Sequence, residues 1–152
     1  ELCVRSTGGF SPEVKVFLQF VYKVQGKAVG QATVEAVRPK KNLFFYAKRF
    51  SSPKEDLSET GLALANPNNT AALITVTRRQ RSSGTVLDSF TDVLPPFGHK
   101  AKWLNEMKPL PVADWEGTIE VESDLPIVGT VLQMTRDGQS FNFSTVPFSS
   151  AR

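Results

Sequence analysis

The chain has one cysteine and one histidine in 152 residues. With Cys3 alone there is no internal disulfide, so stability has to come from a buried core. Cys3 itself has two readings, a buried strand position or a disulfide to another chain. With His99 alone, any Ser-His-Asp or Cys-His mechanism would have to run through that residue. It follows Pro95-Pro96-Phe97-Gly98, a turn in which a structural hydrogen-bonding role is expected. One His and one Cys are too few for a zinc site without carboxylates from scattered loops. Asp88, Asp92, Asp114, Asp124 and Asp137 lie singly, without calcium-loop spacing. Gly8-Gly9 lacks the lysine and the following helix of a phosphate loop. The expectation is a non-enzyme with no catalytic residues, no metal and no cofactor.

Two further absences bound the partners. No run of about 18 apolar residues exists, so no membrane-spanning segment is expected. The net charge of +3 is too mild for the basic stripe of a nucleic-acid binder. Its local clusters, Arg38-Pro39-Lys40-Lys41, Lys48-Arg49 and Arg78-Arg79-Gln80-Arg81, read as solvated loops or strand ends. The sequence also opens at Glu1, inside a strand pattern, with neither an initiator methionine nor a signal peptide. An upstream segment is therefore expected to have been removed or left out.

What is present is strand and turn. Eleven Phe beside ten Gly and ten Pro suit strands joined by turns better than a helical bundle. Residues 14–24 give the strongest signal. Val14, Val16, Leu18, Phe20, Tyr22 and Val24 share one face, opposite Lys15, Gln19 and Lys23. Phe17 and Val21 make the second face partly apolar, so cover on both sides is possible. A turn at Gln25-Gly26-Lys27 leads to a second strand over 29–37. Leu43-Phe44-Phe45-Tyr46-Ala47 reads as a buried strand. Residues 61–65, 71–79, 85–94, 118–122, 126–134 and 141–146 read as further short strands. Two prolines bar Leu94-Pro95-Pro96 from a central strand, and residues 101–107 have room for a helical turn or two before Pro109. This spacing predicts an all-β fold, an antiparallel Ig-like β-sandwich.

Residues 2–20 are similar to residues 119–134. Leu2 to Ser6 overlies Ile119-Glu120-Val121-Glu122-Ser123, and residues 11–20 overlie 125–134. Chance likeness between two hairpins is the competing explanation. As a repeat, the pattern divides the chain into three. Residues 1–37 are a β-hairpin half-module ending a preceding repeat, 38–57 a linker with one short strand, and 58–148 a complete module. A half-module leaves a sheet edge and an apolar face open. It can pair within the chain, lean on the whole module, or take strands from a neighbouring subunit.

Several phrases then resemble a known pattern. They are Thr60-Gly61-Leu62-Ala63-Leu64-Ala65-Asn66-Pro67, Leu94-Pro95-Pro96-Phe97-Gly98-His99, Trp103-Leu104, residues 115–123 and Ser144-Thr145-Val146-Pro147. Together they resemble a repeat module of bacterial secreted and cell-surface proteins. The departures are Trp103 in place of the usual Phe, Lys108-Pro109 at the helix end, and the basic Arg78–Arg81 hairpin. The resemblance implies an extracellular or cell-surface Ig-like unit with a structural or adhesive role, and no catalytic residues to carry over.

Two functional expectations follow. In the first, the chain assembles with copies of itself or with neighbouring repeats, as a filament, sheath or adhesin component. The assembly strand would carry Val14, Val16, Leu18, Phe20, Tyr22 and Val24, and Cys3 could form an intermolecular disulfide. In the second, Trp103 and Trp115 stack on extracellular glycans, with Asp114 and Glu116 as hydrogen-bonding partners. The competing reading of the tryptophans is that both plug the core. Asn68-Asn69-Thr70 and Asn142-Phe143-Ser144 fit the glycosylation acceptor pattern, which matters only in a secretory host.

Overall fold

The computed structural model describes residues 17–35, 37–50, 57–107, 114–137 and 140–146. Nine strands follow in order: β1 (Phe17–Val24), β2 (Lys27–Glu35), β3 (Lys40–Arg49), β4 (Leu57–Ala65), β5 (Ala72–Gln80), β6 (Val86–Leu94), β7 (His99–Trp103), β8 (Trp115–Asp137) and β9 (Ser140–Val146). The one helical element among the described residues is a 3-10 turn, Leu104–Glu106, between β7 and β8. Every described ladder is antiparallel, so the all-β antiparallel class expected from the turn spacing is what the chain adopts.

Strand β8 organises the main sheet. Its first half pairs with β3 on one side and β5 on the other; its second half pairs with β4 and β9. The change of partners falls between Ser123, the last residue facing β5, and Val128, the first facing β4. Pro126 lies between these two, where its missing N–H breaks no described ladder bond. The connected order is β6-β5-β8-β4-β7, with β3 and β9 attached to β8. The two halves enclose one core. Leu43, Phe45 and Ala47 come from β3, Leu62 and Leu64 from β4, and Ile74 and Val76 from β5. Trp115, Ile119, Val121, Ile127 and Val131 come from β8. Each set follows the two-residue strand period, so one face of each strand is buried. Full burial of a Leu, Ile or Phe stabilises by about 1.5–3 kcal/mol.

The run from Leu43 to Ala47 thus belongs to a ten-residue strand of the main sheet, paired along the first half of β8 and longer than the short strand expected there. The expected helical segment at 101–107 is strand β7 up to Trp103, followed by the 3-10 turn. The curled sheet stops short of closing. Strands β6 and β7 end the connected path and are joined by residues 95–98, yet share no described ladder. Lys100 Nζ spans the gap to Asp92 Oδ1 at 2.6 Å, over a cleft of about 270 Å³ floored by Leu64, Ile74, Val76 and Phe90.

Buried Asn66 ties the loops at this end together. Its Nδ2 donates to the carbonyls of Thr70 (2.8 Å), Leu94 (3.1 Å) and Pro95 (3.1 Å). Its Oδ1 accepts from Asn68 N and Asn68 Nδ2, and Asn68 Nδ2 also reaches Pro126 O at 2.9 Å. The Asn-Pro phrase in the sequence is therefore the knot that holds the β4–β5 and β6–β7 connections to the bend of β8.

Strands β1 and β2 form a separate two-stranded ribbon. Gln25 (φ 49°) and Gly26 (φ 80°) make its two-residue turn, and two positive φ angles in succession match the right-handed twist of a hairpin.

Candidate functional site

The ribbon sits on the outer face of the β7-β4-β8-β9 half. Leu62 and Leu64 point into the core, so Gly61 and Ala63 point outward. Trp103 is opposite Gly61 in the β4–β7 ladder and so lies on that outer face. Its indole lies over the glycine: a Cβ on Gly61 would come within 3.1 Å of Trp103 Cε3. The glycine gives the ring a flat bed, and the ring in turn covers backbone that a glycine leaves bare. Beside it stand Leu132 and Met134 of β8 and Phe141 and Phe143 of β9. The Arg136 guanidinium is 5.5 Å from the Phe141 ring centre.

The ribbon meets this surface through β2. Gly30 comes so close to the Phe143 ring that a Cβ there would collide with it. Ala32 is buried, and Thr145 Oγ1 donates to the carbonyl of Thr33 at 3.1 Å. Among the described residues the ribbon shares no ladder with the main sheet. Side chains hold it, and a space of about 410 Å³ bounded by Val21, Ala32, Trp103, Met134 and Phe143 remains under it. A second space of about 280 Å³ continues past Trp103 toward Val34, Ala101 and Thr130.

The other tryptophan is on the opposite face of the sheet. Trp115 is 5 % exposed within the core, and the Arg78 guanidinium lies 5.0 Å from its ring centre. Arg78 is itself buried and paired with Asp88. This corrects the expected glycan platform: Trp103 and Trp115 do not share a surface, because strand alternation sends residue 115 inward and residue 103 outward. Asp114 is exposed at the entry to β8. Glu116 is engaged on the outer face of the β3-β8-β5-β6 half, where Tyr46 Oη donates to it at 2.6 Å and Arg81 pairs with it. The hydrogen bond from Tyr46, with help from Arg81, holds the Glu116 carboxyl below its ordinary range. Burial, then the bond to Glu116, raises the Tyr46 phenol above its ordinary range. Two of the four residues grouped for glycan binding are thus occupied in the fold itself.

Of the expected assembly strand, Leu18, Phe20, Tyr22 and Val24 fall on β1; Val14, Val16 and Cys3 lie outside the described residues. The sequence reads residues 61–65 as a small, apolar strand that lets something approach closely and residues 141–146 as the last strand; Gly30 and the outward pairing of Phe141 with Phe143 were not singled out. Their signal was there: glycine inside a strand marks close backbone approach, and Phe141 and Phe143 are aromatic positions two apart in an otherwise polar strand. Among the described residues no three His, Cys, Asp or Glu side chains converge as a metal site would require. Among them, too, no helix is long and apolar enough to cross a membrane.

No protein-family model and no curated protein sequence matches the chain. Its fold does resemble solved structures. The crystal structure of Thermotoga maritima 1070 aligns over 74 % of this chain and 96 % of that one, at TM-score 0.59 and 16 % identity. The Anabaena sensory rhodopsin transducer aligns over 63 % of this chain and 99 % of that one, at TM-score 0.48 and 16 % identity. The likeness to the Thermotoga protein is one of fold; the second is too distant to bear on it.

Proposed function

We propose that the chain is a non-catalytic structural module that associates with copies of itself, at a cell surface or in an extracellular assembly. The observation that carries this reading is the ribbon. A two-stranded hairpin is marginal in water on its own. This one is seated by side chains, and Val21 on β1 is 46 % exposed. The opposite half of the sheet adds exposed apolar side chains at Leu73, Val86, Leu87 and Val93 on β5 and its edge neighbour β6. Val93 stands opposite Leu73 in the β5–β6 ladder, and an open edge strand that carries exposed apolar side chains is what associating proteins offer and solitary ones cover. The extracellular setting rests on the resemblance of residues 58–148 to a repeat module of secreted proteins.

Light scattering across a dilution series, with electron microscopy of the same sample, tests the reading. A discrete oligomer or filaments are expected. A monomer that persists at high micromolar concentration overturns it.

A further inference from the structure

The structure also bears on how such association would occur. We propose that the β1–β2 ribbon is exchanged between two copies, each ribbon seated on the partner's β7-β4-β8-β9 face. This rests on the self-association reading above.

Three observations converge. First, the seat is complete on one body and the ribbon complete on its own. Gly30 against Phe143, Ala32 and the Thr145–Thr33 hydrogen bond make a side-chain contact that a second copy's ribbon can reproduce without change. Exchange of an element between identical chains keeps every contact and alters only the hinge, which makes it a low-cost route to a dimer. Second, no described ladder bond between the ribbon and its own sheet has to break. The seat is also loosely filled, with about 410 Å³ between the ribbon and the aromatic face. Third, the hinge is short. Strand β2 ends at Glu35 and β3 begins at Lys40. Pro39 closes the connection; its ring fixes φ at that residue and bars the helical region to Arg38. A short connection between an element and the body it packs on is the kind that exchange between copies exploits.

The test uses the full chain with Cys3→Ser, so that an added cysteine has no native thiol to react with. Gly30→Cys and Phe143→Cys, at positions that face each other across the contact, are made as separate single variants, mixed through a brief denaturation and renaturation, and oxidised. An exchanged dimer gives a disulfide between the two different chains. An oligomer by light scattering without this mixed disulfide overturns the exchange and leaves self-association standing. A monomer overturns both. As a second arm, Gly-Ser-Gly-Ser is inserted between Pro39 and Lys40, which loosens the hinge so that the ribbon keeps its own seat more readily. By raising its effective concentration there, the insertion is expected to weaken dimerisation by about tenfold or more. An unchanged dimer constant would count against exchange even if the cysteines failed to react.

Discussion

At the residue scale the fold depends on a few buried polar groups with full sets of partners. Asn66 is 2 % exposed and gives its amide to three carbonyls. Asn66→Ala removes these bonds, the buried one to the Leu94 carbonyl among them, and takes the Oδ1 acceptor from Asn68 N, at a cost of about 1–3 kcal/mol in urea unfolding. Asn66→Asp should be at least as harmful, because it sets a carboxylate against the same carbonyls. Arg78 and Asp88 form a mostly buried pair beside Trp115. Asp88→Ala strands the Arg78 charge and should cost about 3 kcal/mol. Arg78→Met with Asp88→Leu should recover most of that loss, and a double-mutant cycle reads the difference. Asp92 behaves differently because it is partly exposed. The hydrogen bond from Lys100 holds its carboxyl below the ordinary value of 3.8. A depressed carboxyl stabilises the fold above its unfolded value, and that contribution is lost as pH falls through the folded value. The pair is 38–40 % exposed at its side chains, so the effect stays under about 1 kcal/mol. Lys100→Gln should flatten the acid limb of stability below about pH 4, while the lowered Glu116 carboxyl keeps its own share of that limb.

At the element scale, what was legible in the sequence was whatever alternates. The strands containing Ile74 and Ile119 stand out because one face of each is buried and the other is not, and that period is local; Leu43 to Ala47 stands out as a compact apolar run. Partners were not legible. Residues 118–122 and 126–134 read as two strands because Pro126 punctuates them, yet they are halves of β8, whose bend lets one strand serve two sets of neighbours. The inward turn of Trp115 was hidden for a related reason. Its partner Arg78 is distant in the chain, and nothing local marks an arginine as a core neighbour. A separable ribbon leads to a prediction at this scale. A chain beginning at Val37 should still unfold cooperatively, since every core residue of the main sheet lies beyond that point. It should lose the cover over Trp103, so its tryptophan emission should shift to the red relative to the full chain. A molten product, with its near-ultraviolet circular dichroism lost, would show that the ribbon is part of the folding unit.

At the scale of the whole molecule, charge and apolar contact predict opposite responses of association to salt. The net charge is +3, so two copies repel weakly at long range. The ribbon's seat is lined by Trp103, Leu132, Met134, Phe141 and Phe143, and Ala32 of the ribbon is buried against it, so the contact that would join two copies is apolar. Added salt screens the repulsion, over a Debye length of about 10 Å at 0.1 M and about 3 Å at 1 M, and leaves apolar burial in place. Dimerisation measured by analytical ultracentrifugation should therefore hold steady or strengthen slightly between about 0.05 and 0.5 M sodium chloride. Association through the exposed ion pairs Arg79–Glu120, Arg81–Glu116 and Lys100–Asp92 would instead weaken across that range, because exchanging partners between exposed charges is what salt opposes. A steep fall with salt would move the interface away from the aromatic face and onto those charged strands.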